Sequence, residues 1–319
     1  MIKINYLYKK LHIKLNTQLV IVIILIFIWL FLSLKTDGFF TVSNMQNLML
    51  QVSITGIAAI GMCLIIITAG IDLSVGSVMA LVNIILAKLL VNGLPVFPSI
   101  LIVLLLSSLI GFIQGYFIYY FSVPPFIATL AMMSIARGSA LLVTGGRNIT
   151  GLPREIAEFS SNTFLGIPLL FWLLILVIIL MEILLRRTTF GRYVYALGSN
   201  PEATRLSGIN IGVVLIGVYI IGGFFWGLAG ILETTRVWMG VPSIGLGYEL
   251  DVIAAAVLGG ASLMGAVGSV SGAFLGALVM ATIYNGAVLL NINPFWQRVI
   301  IGIILLIMVS IDQFRMKKK

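Results

Sequence analysis

The sequence predicts an all-α polytopic membrane protein of about ten transmembrane helices, some of them broken or re-entrant. Three observations predict it. The chain is 61% hydrophobic and only 9% charged, where a soluble domain carries about 25% charged residues. Apolar runs of about 20 residues, the length of a bilayer-spanning helix, recur from end to end. The runs 21–34 and 169–185 show none of the apolar–polar alternation of a membrane β-barrel.

Spans read at 18–35, 50–69, 75–91, 99–120, 126–143, 167–185, 211–232, 250–262, 268–290 and 296–312. An even number of crossings returns both termini to one side. The net charge of +9 gathers at three short polar sites. Lys3, Lys9, Lys10 and Lys14 precede the first span, with His12 among them. Arg186, Arg187, Arg192 and Arg205 lie in a central loop, and Arg315, Lys317, Lys318 and Lys319 end the sequence. The positive-inside rule puts all three sites, and both termini, in the cytoplasm. The excess charge therefore answers to a lipid bilayer and not to nucleic acid. Residues 1–319 read as one transmembrane domain, with 186–210 as its main cytoplasmic loop. The first apolar stretch has no small-residue cleavage site and reads as a retained span.

Two glycine-marked interruptions stand out. G-I-D-L-S-V-G-S, Gly70 to Ser77, breaks the second apolar run from the third. G-G-A-S-L-M-G-A-V-G-S, Gly259 to Ser269, follows the short run 250–262, whose end is either spanning or re-entrant. Gly76-Ser77-Val78 matches Gly268-Ser269-Val270, and Ala69 matches Ala261 in the same register. This is a weak internal repeat, parallel in topology. Gly268, Gly272 and Gly276, like Gly223, Gly227 and Gly230, place small residues where helices pack closely.

The polar residues within this apolar frame are few. Asp72 is the acid nearest a break; it or Ser74 either caps the following helix or gates and lines a solute path. Arg137 intrudes into the span that Pro124 and Pro125 begin, where it snorkels, pairs with an acid or meets a hydroxylated ligand. Asn200, Pro201 and Glu202 open a short capped helix that Ala203, Thr204, Arg205 and Leu206 continue and Gly208 ends. That helix either docks a cytoplasmic partner or lies at the interface and orients the protein. Outside, Arg147, Arg154, Glu155 and Glu158, then Glu233, Arg236, Glu249 and Asp251, form a mixed-charge rim or a surface for an external partner. Trp172, Trp226, Trp238 and Trp296 lie near span ends or in the adjoining external loop, where several of them read as an aromatic belt, and Cys63 reads as a small buried residue.

No catalytic constellation accompanies these features. One His and one Cys exclude a histidine-rich or thiolate metal site, and the sequence contains no G-x-x-x-x-G-K-[ST] phosphate loop. The chain is therefore expected to be no enzyme and to bind no cofactor itself.

Five blocks in fixed order resemble the membrane permeases of bacterial ABC importers for monosaccharides, of the ribose, xylose and galactose type. They begin at Gly70 (G-I-D-L-S-V-G-S), Pro125 (P-F-I-A-T-L-A-M-M-S-I-A-R-G), Gly191 (G-R-Y-V-Y-A-L-G-S-N-P-E-A-T-R-L-S-G-I-N), Gly247 (G-Y-E-L-D-V-I-A-A-A-V-L-G-G) and Asn285 (N-G-A-V-L-L-N). The resemblance implies a homodimer in the bacterial inner membrane. It implies two cytoplasmic ATPase subunits that carry ATP–Mg, and an extracytoplasmic sugar-binding protein. Gly191, Asn200, Pro201, Glu202, Ala203, Thr204 and Gly208 would then form the segment that docks the ATPase. Glu202 stands where the family often has alanine, and Gly265-Ala266-Val267-Gly268 lacks the family's glycine–lysine pair. The implied mechanism is alternating access, the solute passing through the homodimer interface, with ribose the favoured solute and xylose, galactose, a nucleoside or an autoinducer as alternatives. Asp72, Ser74, Asn83, Gln114 and Asn285 would gate or line the path, or serve as structural hydrogen-bonding groups, and Gly260 and Gly268 would let helices slide. From the residues alone, a cation-coupled secondary transporter with Asp72 as the ion carrier is the rival reading.

Overall fold

A computed structural model describes residues 17–317. The basic arm Lys3, Lys9, Lys10, His12 and Lys14 lies outside the described residues, as do Lys318 and Lys319 and the side chains of Arg315 and Lys317. The elements in order are α1 (Thr17–Lys35), α2 (Val42–Ile67), α3 (Val75–Val91), α4 (Val96–Tyr120), α5 (Pro125–Thr144), α6 (Arg154–Ser161), a hairpin of β1 (Thr163–Phe164) and β2 (Ile167–Pro168), and α7 (Leu169–Arg187). There follow α8 (Thr189–Ser199), α9 (Pro201–Leu206), α10 (Ile211–Val237), α11 (Tyr248–Leu258), α12 (Val270–Leu289) and α13 (Pro294–Lys317). Each apolar run read from the sequence contains one helix. Seven of the described helices are long and apolar enough to cross a membrane. The 17-residue α3 and the apolar stretch Phe295–Ser310 of α13 are shorter.

Helix boundaries follow local chemistry. Thr41 caps α2 by accepting the Asn44 amide, and Asn210 caps α10 by accepting that of Val213. Pro125 occupies the first turn of α5, where its missing N–H costs no hydrogen bond.

The longest apolar windows separate centre from rim. That of α2 is 83% buried and that of α1 only 17%, which makes α2 the axis of the bundle. Its Ser53, Gly56, Ala58, Ala59 and Gly61 are small enough to let α7, α10, α11 and α12 close around it. Phe27, Leu105, Leu142 and Leu306 are exposed on peripheral helices. In water such a surface would aggregate; against lipid tails it is at home.

Hydrogen bonds fix relative directions. Gln18 Nε2 donates to Ser269 Oγ and Ser271 Oγ, at 3.2 and 2.9 Å, and Trp29 Nε1 to Thr282 Oγ1 at 3.2 Å, so α1 and α12 run parallel. The Asn44 and Asn285 amides pair reciprocally, at 2.7 and 3.1 Å, and Cys63 Sγ meets the Ser269 carbonyl at 3.6 Å, so α2 runs against α12. The start of α1, the end of α2, helices α8 and α9 and the start of α12 therefore share one face, termed basal. The loops after α1, α3, α5, α10 and α12 form the distal face.

The 250–262 run resolves into a half-span. Helix α11 has 11 residues and is about 16 Å long, roughly half of a 30 Å hydrocarbon core. Non-helical residues 259–269 carry the chain on to the basal face, where the Ala266 amide bonds the Ile67 carbonyl at 2.8 Å. The repeat holds in outline, since α2–α3 and α11–α12 are both helix–break–helix hairpins of the same direction. Its residue register does not hold. Gly76 lies inside α3, whereas Gly268 precedes Ser269, the cap of α12. The left-handed alanines of the two breaks are Ala69 and Ala266, both with φ 61°, and not Ala261. Gly, Ala and Ser are common in both segments for packing reasons, and that shared composition produced the match.

Helices α4 and α10 form the closest pair, with Gly223 on the Ser107 carbonyl and Gly227 on its hydroxyl. A Cβ at Gly223 would overlap that backbone oxygen. Gly223→Leu is expected to cost at least about 3 kcal/mol, the upper end for overpacking, and to lower the thermal midpoint of the purified protein in a fluorescence-monitored melt.

Candidate functional site

The first break is held by buried polar groups. The terminal turn of α2 closes with the Thr68 and Gly70 amides on the Ile65 carbonyl and the Ala69 amide on Ile66. The Ile71 carbonyl receives Thr129 Oγ1 at 3.2 Å. Asp72, 1% exposed, accepts the Ser74 amide and hydroxyl on Oδ1, each at 2.6 Å, and Trp226 Nε1 on Oδ2 at 3.2 Å. Gln114 Nε2 donates to Ser74 Oγ at 2.8 Å. Ser74 thus precedes α3 without bonding its amides; Asp72 turns the chain in its place. The knot ties the break to α4 through Gln114 and to α10 through Trp226. Trp226 is fully buried and is no part of an interfacial belt. Gly76 then packs on the Gly245 carbonyl, too close for any Cβ.

The second break meets the first on the basal face, and α8 presses on both. A Cβ at Gly198 would overlap the Ile67 carbonyl and come within 2.8 Å of the Ala266 amide. Tyr195 Oη donates to the Gly268 carbonyl at 2.8 Å. Burial pushes the Tyr195 phenol up to about 12, so it remains a donor across the physiological range. Helix α8 was not foreseen within the 186–210 loop. Its signal was legible: Thr188 caps it by accepting the Gly191 amide, and Phe190, Val194 and Leu197 repeat at helical spacing on its packed face.

Helix α9 forms where its cap predicts. Asn200 Oδ1 accepts the Ala203 amide at 2.9 Å, Pro201 is at the first position, and Gly208 follows with φ 79°. Pro201, Glu202, Ala203 and Gly208 are exposed, and Leu206 is 80% exposed. Glu202 pairs with Arg205 at 2.9 Å. Thr204 is buried, its hydroxyl on the Asn200 carbonyl, and Gly191 is buried against the last carbonyls of α7.

The other candidates sit apart. Asn83 is buried and bonds Thr234 Oγ1, the Met239 carbonyl and the Val241 amide, which anchors the loop after α10. Asn285 is spent on Asn44. Gly260 turns the second break with φ 92°, and Gly268 packs on Cys63 and Ile67. Arg137 Nη1 donates to the Pro242 and Ile244 carbonyls at 2.7 and 2.8 Å, a loop-pinning role. Near that loop lies a cavity of about 500 Å³, lined by Gln51, Met79, Glu233, Tyr248, Asp251 and Arg298 among others. Glu233 and Asp251 had read as part of an outside rim; both instead face this recess from helices. Among the described residues, no group of three or more His, Cys, Asp or Glu side chains is placed to hold a metal.

Apolar helices around two adjoining breaks, with a short exposed helix beneath them, define a multi-pass membrane permease. The chain belongs to the family described as branched-chain amino acid transport system / permease component, whose model matches residues 44–309. The ribose import permease protein RbsC of Haemophilus influenzae is 41% identical over 285 residues, 88% of each chain. That of Bacillus subtilis is 38% identical over 283 residues, also 88% of each. The galactose/methyl galactoside import permease protein MglC of Escherichia coli is 35% identical over 301 residues, 88% of this chain and 89% of the relative. No solved structure matches the chain.

Removing the carboxylate at the first break leaves the Ser74 amide and Trp226 Nε1 buried without an acceptor. Asp72→Ala is expected to cost about 2–6 kcal/mol, about 1–3 for each of these two donors, with the rotatable Ser74 hydroxyl losing its acceptor as well. Asp72→Asn, which keeps one acceptor, should cost less. Thermal midpoints of the two variants in nanodiscs check the ranking.

Proposed function

We propose that this chain is the transmembrane permease subunit of an ATP-driven monosaccharide importer of the bacterial inner membrane, with ribose the favoured solute. The names of the relatives support the solute class: three sugar import permeases match almost end to end. In this reading the basal face is cytoplasmic and carries both termini. Two chains form a homodimer, and two ATPase subunits bind ATP–Mg and dock on residues 186–210. An extracytoplasmic binding protein delivers sugar to the distal face.

One observation carries the mechanism. The exposed α9 is continuous with α8, and α8 rests through Gly198 on the end of α2 and on the second break together. A displacement of α9 by a partner is therefore borne by backbone at both breaks, with no long flexible side chain between to absorb it. ATP energy reaches the solute path only if the ATPase contacts the two conformations differently. Pro201, Glu202, Ala203 and Leu206 supply the surface for that contact, and Gly208 ends it. Gly191 and Thr204 hold the segment against the bundle from within. Asp72, Ser74 and Gln114 make the first break a discrete element with defined partners, suited to moving between two arrangements. Gly260 and Gly268 let the second break turn and slide beside it. Asn83 and Asn285, on this reading, hold fixed helices against which the breaks move.

Reconstitution with the cognate ATPase and a sugar-loaded binding protein tests the proposal. ATP hydrolysis is expected to rise with D-ribose-loaded binding protein, and Glu202→Arg, which reverses the charge at that position and leaves two arginines on α9, to return it to the unstimulated level without loss of the folded permease. Stimulation by leucine and not by any pentose or hexose would transfer the solute to the class in the family description. Sodium- or proton-driven uptake by the chain alone would sink the ATP-driven reading.

A further inference from the structure

The 500 Å³ cavity falls within the range of about 300–1,000 Å³ typical of small-molecule sites. It is enclosed by the middle of α2, Met79 of α3, the end of α10, the 244–247 loop and the facing sides of α11, α12 and α13. Its wall is built in advance. Arg137 clamps the carbonyls of Pro242 and Ile244, and Gly245 is pressed on Gly76. The cavity floor therefore abuts the start of α3, the helix that the first break delivers.

The lining is chemically mixed in a specific way. Glu233 and Asp251 bring two carboxylates, Arg236 and Arg298 two guanidiniums, so the recess favours neither anion nor cation. Three of the four charges are already engaged: Glu233 lies 3.6 Å from Arg236, and Asp251 accepts Tyr284 Oη at 2.7 Å. A zwitterion would have to displace these partners to be bound through its own charges. A neutral solute with several hydroxyls need not, because each hydroxyl both donates and accepts and adds to carboxylates, guanidiniums and amides that have lone pairs or N–H groups to spare. Gln51 and Gln297 extend that capacity. Tyr248 and Tyr284 add aromatic rings, and Ile54, Met79 and Ile301 an apolar wall, the surfaces against which the C–H face of a sugar ring rests.

We propose that this cavity is the permease's own holding site for a monosaccharide, with Asp251, Glu233 and Arg298 bonding its hydroxyls after release from the distal face. The inference rests on the monosaccharide reading of the function and goes beyond it by placing the solute. It makes solute choice a property of the membrane subunit as well as of any binding protein.

The test uses the complete importer in proteoliposomes and radiolabelled D-ribose, with D-xylose, D-galactose and leucine as further solutes. Asp251→Asn keeps an acceptor for Tyr284 and Arg298→Gln keeps a polar group; each is expected to lower sugar uptake about tenfold or more, the loss of a hydrogen bond to a charged group. ATP hydrolysis stimulated by the loaded binding protein should persist in both, and the control Leu105→Met on the exposed apolar side of α4 should transport normally. A Gln51→Cys chain on a Cys63→Ala background gives a second readout, in which D-ribose should slow maleimide labelling. Unchanged uptake in both cavity variants, or labelling indifferent to ribose, would overturn the site while leaving the importer intact. Absence of uptake of any sugar by the unaltered complex would overturn both.

Discussion

Backbone that leaves a helix inside a bilayer must find its hydrogen bonds within the protein, because lipid offers none. The two breaks of this chain meet that demand mostly within themselves, the Thr68, Ala69 and Gly70 amides on Ile65 and Ile66 and the Ser262 amide on the Val267 carbonyl, and single bonds tie them to each other and to their neighbours. The Ala266 amide takes the Ile67 carbonyl, Tyr195 takes the Gly268 carbonyl, and Thr129 takes the Ile71 carbonyl. Asp72 stands in for a missing helical turn before α3. The position of α2 at the axis, the half-length of α11 and the seating of α8 all follow from keeping these groups together and dry.

The same constraint explains what was legible in the sequence. Long apolar runs register as helices because only helices satisfy their own backbone, and all ten runs contain one. Asn200, Pro201 and Gly208 announced α9 because capping is local chemistry. Helix α8 went unread because Arg192 within it, after Arg186 and Arg187, suggested a solvated loop while Phe190, Val194 and Leu197 carried the helical period. The role of Trp226 was hidden for another reason. A tryptophan in an apolar run reads as an interfacial anchor, and nothing local reveals that residue 72 lies beside it. The cavity was hidden in the same way, since Gln51, Glu233, Asp251 and Arg298 come from four helices.

Close backbone contact gives the G-I-D-L-S-V-G-S block its composition. Gly70 lies against Tyr219 and Ile65, Asp72 and Ser74 form the knot, and Gly76 meets Gly245. At Gly70 a Cβ would meet the Tyr219 hydroxyl and the Ile65 side chain, and at Gly76 it would push apart two segments that touch through main chain. Contacts of that kind transmit displacement better than side-chain contacts, which re-rotamerise. Such contacts join Gly198 to Ile67 at the α8–α9 face and Gly76 to Gly245 at the cavity floor, and the break held by the Asp72 side chain lies between them in the chain.

The acids of this chain fall into two kinds, and the difference bears on mechanism. Asp72 is enclosed by donors, two from Ser74 and one from Trp226, with Gln114 behind Ser74, while the buried Gln114 Oε1 and the nearby Tyr219 Oη have no partner among the described residues. A group so enclosed is suited to hold a conformation, and an ion would reach it only by dismantling the knot. Asp251 and Glu233 each have one close partner and also face open volume. A cation-coupled carrier needs an acid that solvent and ion can reach in both conformations, and Asp72, the only acid at the breaks, does not meet that need in the conformation seen here. The energy for transport is then more readily supplied from outside the chain, at the exposed helix beneath the breaks, than by an ion moving through it.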